Sequence, residues 1–120
     1  MANILIVDDD ASIRTALRRI LEEEGHQIRE AADGQIGLML YREAPADLVI
    51  TDILMPERDG MEVTLALTQE FLDARVIAMT GATGDQSFLN IAKLFGARRL
   101  IQKPFTPEFI RRVVRFTLDH

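Results

Sequence analysis

The sequence predicts an α/β protein built on a parallel sheet covered on both sides. Short apolar runs alternate with helix-spaced apolar stretches along 120 residues, the βαβα pattern of such a sheet. Two of the runs also end in carboxylates, Ile4-Leu5-Ile6-Val7 in Asp8-Asp9-Asp10 and Leu48-Val49-Ile50-Thr51 in Asp52. Five strands and five helices fit, and a chain of this length forms one domain, expected over residues 1–120.

The first strand spans Asn3 to Val7. The helix after it places Ile13, Ala16, Leu17, Ile20 and Leu21 on one face, and Gly25 stops it. A weaker strand follows at Gln27 to Glu30. Asp33-Gly34 opens a second helix that runs to about Glu43, where Pro45 blocks continuation. The central strand is Leu48 to Thr51, and Asp52 leads into a loop marked by Pro56 and Gly60, with Asp59 and Glu62 spaced to cap a third helix. The fourth strand, Val76 to Met79, runs into Thr80-Gly81. A fourth helix carries Phe88, Ile91, Ala92 and Phe95, and Gly96 ends it. The last strand, near Leu100 to Ile101, leads to Lys103-Pro104-Phe105, after which Thr106 caps and Pro107 starts the final helix.

The 48% hydrophobic and 28% charged composition is that of an ordinary globular protein, with Gly and Pro dispersed rather than gathered into a linker. There is no cysteine, so disulfides and thiolate metal sites are excluded. No apolar run approaches the roughly 20 residues needed to cross a bilayer, and the amino terminus enters a strand without a leader, so no membrane contact and a cytoplasmic location are expected. A formal charge of −5 argues against direct nucleic acid binding. One stretch departs from that balance: Arg98, Arg99, Lys103, Arg111, Arg112 and Arg115 stand against only Glu108 and Asp119, either as a docking face or as a solvated face whose charge complements the helix dipole. His26 and His120 read as surface residues at element ends, and Phe105 and the other aromatics as core.

In a parallel sheet the carboxyl ends of the strands meet at one edge, where ligands bind. That edge collects Asp8, Asp9 and Asp10 after the first strand, Asp52 after the third, Thr80 after the fourth and Lys103 after the fifth. Two carboxylates about 5 Å apart repel by roughly 3 kcal/mol at an effective dielectric near 20, which a hard cation such as Mg²⁺ relieves. An ammonium and a hydroxyl beside such a pair suit a phosphoryl group and its three anionic oxygens. Of the basic residues 12 are Arg and only two are Lys, yet it is Lys that stands at this edge, where a slender ammonium fits better than a wide guanidinium. Taken singly, each residue has a plainer reading: the acids as strand end and helix cap, Thr80 as a β-former, Asp52 as a turn starter, Lys103 as an exposed loop residue.

With Asp8-Asp9, Asp52, Met55-Pro56, Asp59-Gly60, Thr80-Gly81 and Lys103-Pro104-Phe105 in this order, the whole chain resembles a receiver domain of the two-component response regulators. The resemblance implies a flavodoxin-like, doubly wound five-stranded parallel sheet of order 2-1-3-4-5. It implies that Asp52 accepts a phosphoryl group from the phosphohistidine of a sensor histidine kinase or histidine phosphotransferase. Asp8, Asp9, Asp52 and the backbone carbonyl of Leu54 would hold Mg²⁺, with Asp10 the third acid of the run beside them, and Thr80 and Lys103 would meet the phosphoryl group. Its output would be a rearranged face made by the fourth helix, fifth strand and fifth helix, binding an unknown downstream protein as a monomer or a phosphorylation-dependent dimer. Such a domain is not expected to turn over a substrate.

Two departures qualify the family pattern. The strand-five position that usually carries a switching aromatic is Leu100, and apolar Leu54 and Ala82 stand where side chains tune the attacking water, which implies slow self-dephosphorylation. Two alternatives remain: a haloacid-dehalogenase-like phosphatase using Asp8 and Asp10, and a receiver-like module that binds a partner without phosphorylation. The first lacks the late acidic pair such enzymes carry, since only Glu108 and Asp119 follow Lys103.

Overall fold

The strands are β1 (Asn3–Val7), β2 (Gln27–Ala31), β3 (Leu48–Asp52), β4 (Val76–Thr80) and β5 (Arg99–Gln102), and all pair in parallel in the order β2-β1-β3-β4-β5. The computed structural model describes residues 1–53, 60–81, 93 and 96–120. Within these, the helices are α1 (Ala11–Glu23), α2 (Gly34–Glu43), α3 (Gly60–Glu70) and α4 (Pro107–Asp119). The predicted helix around Phe88, Ile91, Ala92 and Phe95 lies outside the described residues, as do Leu54, Met55-Pro56, Asp59 and Ala82.

Two apolar layers explain why the strands read as unbroken runs. On one face Ile4, Ile6, Ile50, Ile77 and Met79 meet Leu17, Ile20 and Leu21 of α1 and Ile110 and Val114 of α4. On the other, Leu5, Val7, Val49 and Val76 meet Leu38 and Tyr41 of α2 and Val63 and Leu67 of α3. Successive strand residues point to opposite faces, so each run needs apolar side chains at every position. Close packing on the second face is sharp enough that a Cβ on Gly37 of α2 would lie 2.8 Å from Val7 Cγ2.

The caps are chemical as well as steric. Asp10, Asp33 and Thr106 accept from the amides of Ser12, Ile36 and Phe109 at the starts of α1, α2 and α4. At the end of α1 the Gly25 amide donates to Glu22 O (2.9 Å) and the His26 amide to Leu21 O (3.2 Å), with Gly25 at φ 89°, the paired-bond ending that favours glycine. Arg29 of β2 donates to the Leu40 and Ala44 carbonyls at the end of α2 (3.0 and 2.6 Å).

His26 is not the plain surface residue expected. Its Nδ1 accepts from the Ala2 amide at 3.1 Å, which ties the entry to β1 against the end of α1. Burial, helped by the nearby amino terminus and Arg115 and opposed by Glu24, holds its pKa below the ordinary value. A folded-state pKa below the unfolded one means the unfolded chain binds the extra proton first, so His26 favours folding above about pH 6.5 and this contribution is lost as pH falls through the folded value. His26→Asn keeps an acceptor but cannot titrate. Urea midpoints at pH 7.5 and 5.5 should therefore differ less in the variant than in the wild type; equal differences would remove His26 from the pH response.

The basic carboxyl-terminal stretch is largely spent within the chain. Arg111 pairs with Glu23 (3.6 Å) and Arg115 with Glu24 (2.5 Å), both on α1. Arg98 donates to the His120 carbonyl (3.3 Å), the Arg99 guanidinium lies 4.3 Å from the Phe116 ring centre, and the His120 ring stacks on the same Phe116 ring with 4.2 Å between centroids. The expectation that the aromatics are core fails at two places, since Phe109 and Phe116 of α4 are 40% and 43% exposed.

Candidate phosphoryl and metal site

Parallel register brings the predicted residues to one edge. Asp52 is the last residue of β3 and stands opposite Met79, so Thr80, the last residue of β4, lies one step further along the neighbouring strand. Thr80 in turn stands opposite Gln102 of β5, and the next amide, Lys103 N, donates to Thr80 O at 2.8 Å. On the other side, the Asp8 amide extends the β1–β2 ladder by one bond to Ala31 O (3.1 Å).

Asp8 is fully buried. Its Oδ1 accepts from the Asp10 amide at 2.8 Å and its Oδ2 from Lys103 Nζ at 2.9 Å. Burial pushes its carboxyl above the ordinary range, with the Asp10 amide and Lys103 opposing and Asp9 adding to the rise. Lys103 Nζ also reaches Asp52 Oδ2 at 3.3 Å, and Asp52 is 8% exposed. Burial alone would lower the lysine pKa, but its bond to Asp8 and the charges of Asp52 and Asp8 outweigh that and hold it above the ordinary value. The Lys103–Pro104 peptide is cis.

Carboxylate oxygens of Asp8, Asp9 and Asp52 all lie within 4.8 Å of one another. Among the described residues three carboxylates face one ammonium, an excess of negative charge that a divalent cation offsets. The donors are all oxygen, which suits a hard ion, and exposed Asp9 leaves room for the waters that Mg²⁺ retains. The set therefore fits Mg²⁺ on its chemistry.

Asp10 stands apart from the other two acids of its run. Its carboxylate accepts from Ser12 N (2.8 Å) and Ser12 Oγ (2.6 Å), and these bonds hold its pKa below the ordinary range. For Asp10 the plain reading as a helix cap is the structural one, which also removes an acid that the dehalogenase-like alternative needs.

The Thr80 hydroxyl is buried and has no hydrogen-bond partner among the described residues, on a residue that is 1% exposed. An orphaned buried hydroxyl costs about 1–3 kcal/mol, so its place at this edge calls for an occupant with an acceptor oxygen.

Sequence reasoning missed Arg14 of α1 and Glu30 of β2. Arg14 Nη1 donates to the backbone carbonyl of Asp8 at 2.6 Å while its Nε bonds Glu30 Oε1 at 3.1 Å. Glu30 also pairs with Arg18, which reaches Glu22 and the Ile28 carbonyl. Both arginines lie on the polar face of α1, where periodicity marks them only as solvated.

A doubly wound 2-1-3-4-5 sheet with an acid cluster, a lysine and a hydroxyl at the carboxyl ends of β1, β3, β4 and β5 defines the class of phosphoacceptor signalling domains. The family model described as the response regulator receiver domain matches residues 4–115, and the chain belongs to that family. It is 38% identical over 117 residues to the chemotaxis protein CheY of Bacillus subtilis, covering 97% of each chain. Against Protein PilH of Pseudomonas aeruginosa it is 34% identical over 119 residues, covering 98% of each. A CheY-like receiver domain from Methanospirillum hungatei superposes with a TM-score of 0.93 at 28% identity, over 99% of this chain and 94% of that one. The protein is thus a receiver domain of the two-component type, and no described helix is long and apolar enough to cross a membrane.

Proposed function

We propose that Asp52 is the phosphoacceptor, that Asp8, Asp9 and Asp52 hold Mg²⁺, and that the phosphoryl donor is a phosphohistidine on a sensor kinase or histidine phosphotransferase. The observation that carries this reading is the buried hydroxyl of Thr80, without a partner among the described residues, at the edge that also holds Asp52 and Lys103. In the transfer, an Asp52 carboxylate oxygen forms the new P–O bond as the P–N bond to imidazole breaks, and the leaving nitrogen takes up a proton. Carboxylate is a weak nucleophile, so the chain contributes position and charge rather than activation. Mg²⁺, when bound, supplies charge neutralisation between carboxylate and phosphoryl oxygens.

Lys103 then exchanges part of its contact with Asp8 and Asp52 for a phosphoryl oxygen, and Thr80 donates its unused hydrogen to another. The Leu54 carbonyl, as a further metal ligand, rests on the family resemblance alone. The domain forms one acyl phosphate per chain and resets by hydrolysis, rather than turning over a substrate. Its location is cytoplasmic, its output an unidentified protein target, and its oligomeric form a monomer or a dimer made on phosphorylation. The switch carries no aromatic at Leu100, which is half-buried against Ile53, Ala78 and Ala97, so movement falls to Thr80.

The decisive experiment is intact-protein mass after incubation with acetyl phosphate and Mg²⁺, beside Asp52→Asn and a metal-free control. One added phosphoryl group that requires both Mg²⁺ and Asp52 is expected. Labelling that persists in Asp52→Asn overturns the assignment, and no labelling from acetyl phosphate or from a phosphohistidine donor overturns the function.

Thr80→Val gives a second expected result, with opposite signs for stability and signalling. The isostere deletes a buried unsatisfied hydroxyl, so the unphosphorylated protein should gain about 1 kcal/mol. Phosphorylation of the wild type should shift amide resonances of β4 and β5 in NMR spectra, and phosphorylated Thr80→Val should lack those shifts. A variant less stable than wild type would show that the hydroxyl has a partner in the resting protein.

A further inference from the structure

We propose that Arg14, held by Glu30, is a positioning residue that sets the direction of the Asp9 carboxylate and thereby the affinity of the site for Mg²⁺; this rests on the metal reading given above. Asp9 lies between two peptide groups that are each pinned. Before it, the Asp8 carbonyl accepts from Arg14 Nη1 at 2.6 Å. After it, the Asp10 amide donates to Asp8 Oδ1 at 2.8 Å. With both neighbours fixed, the backbone torsions of Asp9 have little freedom, and its exposed side chain is directed to within 4.8 Å of Asp8 and Asp52 although repulsion would turn it outward. Asp8 has all its groups engaged: the amide on Ala31 O, the two carboxylate oxygens on the Asp10 amide and Lys103, and the carbonyl on Arg14. Arg14 is the side chain that closes this set.

A guanidinium next to a cation site is unfavourable by charge alone, and Glu30 answers that cost. Arg14 Nε lies 3.1 Å from Glu30 Oε1, with side chains only 17% and 25% exposed, so the pair is partly shielded from water. Arg18 grips the same carboxylate from one turn further along α1 and anchors to the Ile28 carbonyl at 3.1 Å, which fixes Glu30 to the β2 backbone. The result is a chain of contacts from β2 through Arg14 to the peptide before Asp9. Arg14 itself touches neither metal nor phosphoryl group.

The test is a calorimetric Mg²⁺ titration of the full chain, with acetyl phosphate labelling followed as a function of Mg²⁺. Outer partners of metal ligands typically change affinity by about 10- to 100-fold when removed. Arg14→Ala should weaken Mg²⁺ binding about 10-fold while the labelling rate at saturating Mg²⁺ stays within about twofold of wild type, a split that a general loss of structure does not produce. Arg14→Lys, which keeps one donor, should fall between. Glu30→Gln should weaken binding by a smaller factor, and its combination with Arg14→Ala should be no weaker than Arg14→Ala alone. If Arg14→Ala fails to fold, an unchanged affinity in Glu30→Gln overturns the assignment by itself. A lower melting temperature with unchanged Mg²⁺ affinity would reduce Arg14 to a tie between α1 and β2, and tighter binding would make it a charge to be overcome; either overturns the proposal. Wild-type protein that binds no Mg²⁺ overturns the metal reading, and this assignment with it.

Discussion

Lys103→Met should lower the stability of the Mg²⁺-free protein by about 3 kcal/mol, at the low end of what removing one partner of a buried ion pair costs. Asp8 is fully buried and Asp52 nearly so, and the same ammonium serves both, at 2.9 and 3.3 Å. Without it, the clustered carboxylates of Asp8, Asp9 and Asp52 have their nearest cation removed while their mutual repulsion remains. Screening through the partly exposed lysine, whose side chain is 17% accessible, keeps the loss from the upper end of the range.

Two controls separate charge from packing of the lysine stem. Mg²⁺ should recover more stability in Lys103→Met than in wild type, because the ion no longer competes with an ammonium for the same oxygens. The deficit should also shrink as pH is lowered. Burial already raises the Asp8 pKa, and removal of Lys103 raises it further, so the variant takes up a proton earlier and its penalty fades below that point. Urea unfolding with and without Mg²⁺ at two pH values measures both effects. A deficit independent of Mg²⁺ and pH would assign the role of Lys103 to packing.

How the site could be read in the chain follows from the parallel sheet. In this topology the end of an apolar run is also a place in space, so Asp8, Asp52, Thr80 and Lys103 had only to follow successive strands to share an edge. The caps were legible for a similar reason: Thr106-Pro107 and Asp33-Gly34 act on amides a few residues away, and local chemistry decides them. What composition could not rank was Asp8, Asp9 and Asp10, three identical side chains in a row. Their roles diverge because Asp10 finds Ser12 within its own helix turn, while Asp8 finds Lys103 across the sheet. Arg14 and Glu30 meet only through the seating of α1 beside β2, and Arg111 and Arg115 find Glu23 and Glu24 only through the packing of α4 on α1. Such pairings join polar faces of separate elements, where hydrophobic periodicity carries no information about partners.

Gly96→Ala should cost about 3 kcal/mol and lower the melting temperature by on the order of 10 °C. Read in the sequence, Gly96 was the end of a helix; in the structure two separate demands fall on it. Its φ is 112°, where an L side chain is strained by about 1–2 kcal/mol. In addition, a Cβ there would lie 2.6 Å from Thr68 Cγ2, 2.9 Å from Thr68 Cβ and 2.9 Å from Thr68 Oγ1. Thr68 has little room to yield, because it is β-branched on α3 and its hydroxyl bonds the Thr64 and Leu65 carbonyls at 2.9 and 3.2 Å. Relief would have to come from the backbone around Gly96, which passes directly into β5: the Arg98 amide bonds Val76 O at 2.8 Å, and four residues of strand then deliver Lys103 to the site. Thr68→Ala in the Gly96→Ala background removes Cγ2 and Oγ1 but leaves Cβ and the positive φ, so it should recover about half of the loss, a coupling of roughly 1–2 kcal/mol in a double-mutant cycle. A loss below about 1 kcal/mol for Gly96→Ala alone would mean that α3 and the approach to β5 separate easily, and the placement of Lys103 would then have to depend on its bonds to Thr80, Asp8 and Asp52 rather than on the strand that carries it.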